Sequence, residues 1–201
     1  MLPPALIAAL PQIPAPVILL EGTRRLPDTL RPQLARLARS LAEALPQALF
    51  RSGNAEGSDE AFAQGLAEIA PQRLQLVLPT PGMGRSRRPA NAACHALDAL
   101  PPEERETLAQ ACLAASPENR RLFELYRRGQ SGTPAYGKSL YLVRDALKVL
   151  GSPALGLAPA SLALLYLDEN HPAGGGTGHT LRLCQQHGVP VLTQRHWLVG
   201  R

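Results

Sequence analysis

The residues best suited to chemistry lie between Leu162 and Thr180, in the stretch LALLYLDENHPAGGGTGHT. An uncharged run ends at Asp168, and Gly174, Gly175, Gly176 and Gly178 surround Thr177 just ahead of His179 and Thr180. Glycines let backbone N–H groups come close to a ligand, and a helix that starts here offers unpaired donors and the positive end of its dipole. The chemistry is anion binding, with phosphate the natural ligand. A tight strand-to-helix turn without a ligand accounts for the same residues.

Three other stretches share this character: Gly22-Thr23-Arg24, Ser52-Gly53 with Gly57 and Asp59, and a loop holding Gly82, Gly84, Arg85, Arg87 and Arg88. The planar donor fork of Arg24 suits a phosphate. Asp59 serves the dipole of the helix it opens, holds the Gly53 loop, or meets a ribose hydroxyl. Acid–base chemistry would have to come from Glu21, Glu56, Asp59, Asp168, Glu169 or His179, and Asp59, Glu169 and His179 are the catalytic candidates. His171, His179 and His187 do not form a metal set. Residues eight apart on a helix lie roughly 80° apart in projection, and the carboxylate and cysteine partners of common zinc motifs are missing.

These stretches need a scaffold that brings them together. Val17-Ile18-Leu19-Leu20, Ala48-Leu49-Phe50-Arg51, Leu74 to Leu78, residues 161–167 and Val189-Pro190-Val191-Leu192 read as strands. Asp28 caps a helix with the stripe Leu30, Leu34, Leu37, Leu41 and Leu45, ended by Pro46, and a second helix presents Phe62, Leu66 and Ile69. Residues 90–150 read as helices only, at about 91–100, 103–115, 117–128 and 134–150. The last of these carries Tyr136, Tyr141 and Arg144, placed to cover a pocket or to join the core. Thr177 caps a helix running to His187, with Thr177, Leu181 and Cys184 on its inner face. The expected fold is α/β: a Rossmann-like open parallel sheet of about five strands, with a helical insertion (about 90–150) before the fourth strand. Residues 1–16 form an apolar arm that packs on this domain or on a second subunit, and 17–201 form the single domain. The special stretches each follow a strand, so they should meet at the carboxyl edge of the sheet.

The chain has 201 residues and a formal charge of +5, which favours an anionic partner. Four Tyr, three Phe and one Trp are scattered along it, too few for the stacking platform of a single-strand binder. Cys94, Cys112 and Cys184 are odd in number and never in a CxxC pair, as expected of reduced thiols in a cytoplasmic protein. Neither the proline-rich first twenty residues nor the interrupted run from Val149 to Leu167 suits a membrane span.

Gly22-Thr23-Arg24, Ser52-Gly53-x-x-x-Gly57-x-Asp59-x-x-Phe62, Gly175-Gly176-Thr177-Gly178-x-Thr180-x-Arg182 and Gly188-Val189-Pro190-Val191 together resemble the SLOG superfamily. That group joins the Smf DNA-processing proteins, the Lonely Guy phosphoribohydrolases and many nucleotide-sensor proteins; the chain is most similar to a small phage and bacterial branch. The resemblance spans about residues 17 to 195, the helical insertion loosely. It implies a Rossmann-like fold that binds a nucleotide-derived ligand, AMP-, NMN- or ADP-ribose-like, through the glycine stretches, Arg24, His179 and Thr180. The phosphoribohydrolase pattern PGGxGTxxE is broken here: Arg182 stands in place of its glutamate and His179 in place of a threonine. The expectation is therefore a binding or sensing protein, leaning away from an enzyme. The alternatives are a nucleotide N-glycosidase and an Smf-like DNA binder. A homo-oligomer is possible on this reading, nucleic acid is not the favoured partner, and no cofactor is certain.

Overall fold

A computed structural model describes residues 2–129 and 131–198. Among them six strands form one parallel sheet: β1 (Val17–Gly22), β2 (Leu49–Ser52), β3 (Leu74–Leu78), β4 (Ala93–Ala96), β5 (Leu162–Tyr166) and β6 (Val191–Thr193). Their order is β4-β3-β2-β1-β5-β6. This is the expected Rossmann-like architecture with one more strand. Strand order reverses between β1 and β5, which pair from Ile18↔Leu162 to Gly22↔Tyr166.

Successive strand residues point to opposite faces, and both faces are covered. Ile18, Leu20, Phe50, Leu74, Leu76, Leu162 and Leu164 form one core with α1 (Pro4–Ala9), α2 (Arg31–Ala44), α3 (Ser58–Ala67) and α8 (Gln194–Trp197). Leu19, Val77, Ala163 and Leu165 form the other, against α4 (Pro102–Ala115), α5 (Arg120–Arg127), α6 (Pro134–Leu150) and α7 (Gly175–Gln186). Burial on both faces is why these strands read as uncharged runs instead of alternating ones.

Four expectations change. Residues 91–100 do not form a helix: Ala93–Ala96 pair with β3, from Gln75↔Ala93 to Leu78↔Ala96, and Leu97–Ala99 form a 3-10 turn. Alanine-rich propensity there yields to the free edge of β3, and Asn91, at φ 67°, interrupts any helix at its start. The helical crossover thus begins at Pro102. Asp28 opens a 3-10 turn ahead of α2 and accepts from Arg31 Nε (3.0 Å) instead of capping the helix. The N-cap of α7 is Gly174, not Thr177, and its buried face is His179, Thr180, Leu183 and Cys184. The last strand is Val191–Thr193, shifted by two residues from the expected start and leading directly into the short α8, whose Trp197 is buried.

The N-terminal arm packs on its own chain. Leu2 and Leu6 join the first core, beside α8.

Candidate functional site

The carboxyl ends of β1 and β5 open into a cleft of about 1050 Å³. Gly22, Thr23, Arg24 and Arg25 form one wall, and Gly174, Gly175, Gly176 and Thr177 another. Gly137, Lys138 and Tyr141, from the first half of α6, lie over it. The site therefore occupies the point where strand order reverses, as the chemistry of an open parallel sheet requires.

The three glycine stretches do converge. Thr23 N donates to Tyr166 O (2.8 Å), joining the ends of β1 and β5. Ser58 N and Ser58 Oγ both donate to Thr23 O (3.1 and 2.9 Å). Asp59 is the knot between them: its carboxylate accepts from Gly22 N (3.2 Å), Gly53 N (3.1 Å) and Ala55 N (3.3 Å). Of its three expected roles the geometry shows the loop-holding one. Gly57 (φ 81°) is pressed against the carbonyls of Thr23 and Arg24, where a Cβ would come within 2.6 Å. Gly53 lies under the guanidinium of Arg144; a Cβ there would be 1.5 Å from Nη1. Ser52, Gly53 and Gly57, expected at the ligand, do not line the cleft. Gly178 packs on the carbonyl of Ala173.

The first turn of α7 faces the cleft. The first donor satisfied by a helical bond is Gly178 N, to Gly174 O (3.0 Å), so the N–H groups of Gly175, Gly176 and Thr177 precede the ladder. His179 lies on the following turn, fully buried. Arg182 Nε and Nη2 donate to Ser116 Oγ (3.1 and 2.8 Å). Ser116 therefore gives its own proton to His179 Nδ1 (2.8 Å), which places the imidazole proton on Nε2. Burial pushes this histidine's pKa down, so it is neutral. Arg182 also binds Ala115 O (3.0 Å) and Ala173 O (2.9 Å) and pairs with Glu118 (3.5 Å). Arg182 lines the cleft as well, so it ties the end of α4 and the loop before α7 together at the rim of the site.

The cleft floor holds a charge cluster that the motifs do not include. Glu21, at the end of β1, accepts from Thr180 Oγ1 (3.0 Å) and pairs with Lys148. Lys148 Nζ also lies 2.9 Å from Asp145 Oδ1, and Arg144 Nε 3.2 Å from the same oxygen. Burial pushes the Glu21 carboxyl up to about 7, against the pull of Lys148. Asp145 Oδ2 sits 3.2 Å from where a Cβ on Gly176 would stand. Neither oxygen of Asp145 has a hydrogen bond of good geometry, nor do Arg144 Nη1 and His179 Nε2, although all are buried. Buried polar atoms are nearly always paired, which sets these apart from the rest of the interior.

Arg144 was legible as a pocket residue; Asp145 and Lys148 were not. Their signal is the only charge, Arg144, Asp145 and Lys148, in the otherwise uncharged run from Leu140 to Leu150. Asp168 and His171 line the cleft, while Glu169 is not among its lining residues. Arg87 pairs with Glu56 of the loop after β2 (3.3 Å), and Arg88 binds the carbonyls of Pro81 and Met83 (both 2.6 Å), so these arginines are engaged within the protein. Cys112 and Cys184 are buried thiols and Cys94 is exposed, all unbridged. No described helix is long and apolar enough to cross a membrane.

No family model and no curated protein match the sequence. Among solved structures the chain is similar to DNA processing protein A from Helicobacter pylori, a structure described for its single-stranded DNA binding mode. The two are 16% identical with a TM-score of 0.49, and the match covers 90% of this chain and 65% of that one.

Proposed function

We propose that this chain binds a small phosphate-bearing ligand derived from a nucleotide, in the cleft between β1, β5 and α6. The observation that carries the reading is the pair of buried, unpartnered polar atoms, Asp145 Oδ2 and His179 Nε2, beside the first turn of α7. A phosphate meets the N–H groups of Gly175, Gly176 and Thr177 and the positive helix end. A sugar hydroxyl is a group that can both donate to Asp145 and accept from His179 Nε2. The resemblance of the glycine stretches to nucleotide-binding proteins supports the same ligand class.

A second reading, single-stranded DNA laid along the cleft, is favoured by the exposed cations Arg24, Arg25 and Lys138 on its walls. One panel separates the two. Thermal unfolding is followed with AMP, NMN, NAD, ADP-ribose, cyclic nucleotides and an oligothymidylate. At about 100 times its dissociation constant a ligand stabilises the fold by roughly 2.7 kcal/mol, or about 5–10 °C for a chain of this size. We expect a shift with a small nucleotide, lost in Gly176→Val, whose side chain would stand against Asp145 and block the backbone donors. A shift with the oligonucleotide alone, falling steeply with salt, would give the DNA reading first place.

A further inference from the structure

We infer that the site has two lobes and that its ligand belongs to the dinucleotide class, two nucleosides joined through phosphate. The inference rests on the nucleotide-binding reading and adds to it a second base. A smaller cavity of about 210 Å³ lies beyond the carboxyl ends of β2 and β3, with Asn54, Glu56, Met83 and Arg87 in its walls. Arg24, Ala55 and Tyr141 line both this cavity and the cleft. The two spaces are therefore neighbours, and at their boundary the Arg24 guanidinium lies 5.4 Å from the centre of the Tyr141 ring. Arg24 is exposed, so its long side chain can turn aside without unfolding anything.

The walls of the small lobe suit a heteroaromatic ring. Tyr141 presents an aromatic surface and its hydroxyl donates to Met83 Sδ (3.4 Å), so a flat ring and a polarisable thioether are held together. Its floor is fixed by the backbone: Asn54, in the left-handed conformation (φ 55°), donates from Nδ2 to Gly84 O (3.0 Å) and ties the loop after β2 to the loop after β3. Glu56 stands four residues past the end of β2. A carboxylate beyond that strand is well placed for the vicinal hydroxyls of a ribose. The size also fits. The lobe holds one base and no more, whereas the cleft of about 1050 Å³ is at the upper end of the roughly 300–1,000 Å³ of small-molecule sites and has room for a nucleoside and bridging phosphates. Arg24, on the boundary, then faces the phosphate bridge together with the first turn of α7.

Calorimetric titration of the full chain with AMP, NAD and diadenosine diphosphate tests this. We expect NAD or the diadenosine compound to bind at least tenfold more tightly than AMP. Met83→Ala and Glu56→Gln, both changes at accessible side chains, should each bring that ratio close to one. AMP binding as tightly as both dinucleotides would overturn the second lobe and leave the nucleotide reading standing. A dinucleotide preference untouched by either substitution would likewise overturn the assignment of this cavity. Binding of none of the three would overturn both readings together.

Discussion

Glu21 and Lys148 face each other in the floor of the cleft, and both are buried. A carboxyl raised from 4.5 to about 7 by burial is one whose neutral form the fold prefers. Its contribution to stability is full below about pH 4.5, declines across the interval and is gone once the pH has risen through about 7. His179, pushed down by burial, acts with the opposite sign, so the native chain alone does not isolate Glu21. The difference between the melting temperatures of the native chain and Glu21→Gln does. That difference should fall as the pH is raised from about 5 to about 8; a flat difference would mean that Glu21 is charged throughout. Asp145 raises a question of chemistry. It supplies a carboxylate in the cleft although position 182 does not, and N-glycosidic cleavage needs one to stabilise positive charge on the sugar. Here its charge is already shared between Lys148 (2.9 Å) and Arg144 (3.2 Å). We therefore expect no free base when AMP or CMP is incubated with the protein and analysed by chromatography. Base release that is lost in Asp145→Asn and kept in Arg182→Ala would make the chain a hydrolase.

Among the elements, those buried on both faces were legible and those at the margins were not. β1, β3 and β5 are uncharged or nearly so because each lies between two helical layers. β4 is an edge strand with Ala93 and Cys94 exposed, so it carries no buried pattern, and only its non-local pairing with β3 makes it a strand. The glycine loops could be read because glycine at a turn is a local requirement. The charge cluster could not, since Glu21 and Lys148 are 127 residues apart in the chain and meet only after α6 packs across the sheet. The same holds for Ser116, which fixes the His179 tautomer from the far end of α4. Sequence spacing gives the members of one loop or one helix face. It does not give what packing brings to them.

At the scale of the whole molecule, the N-terminal arm adds Leu2 and Leu6 to the core. Leu6 is fully buried and Ile7 is half exposed. Leu6→Ala should therefore cost about 2–5 kcal/mol in denaturant unfolding, while Ile7→Ala should stay within about 0.5 kcal/mol. Equal small effects would mean that the arm contributes nothing to the fold. The buried arginine of β2 has a different consequence. Arg51 Nη1 donates to the carbonyl of Lys148 (3.0 Å) while its Nε and Nη2 hold Gln75 on β3 (3.0 and 2.8 Å). With its main chain fastened to Arg51 and its side chain to Glu21, Lys148 anchors the C-terminal half of α6 to the sheet. The cleft-covering half is fastened separately, Tyr136 stacking on Tyr126 of α5 with ring centroids 6.3 Å apart. The roof over the cleft is therefore pinned at both ends of one helix.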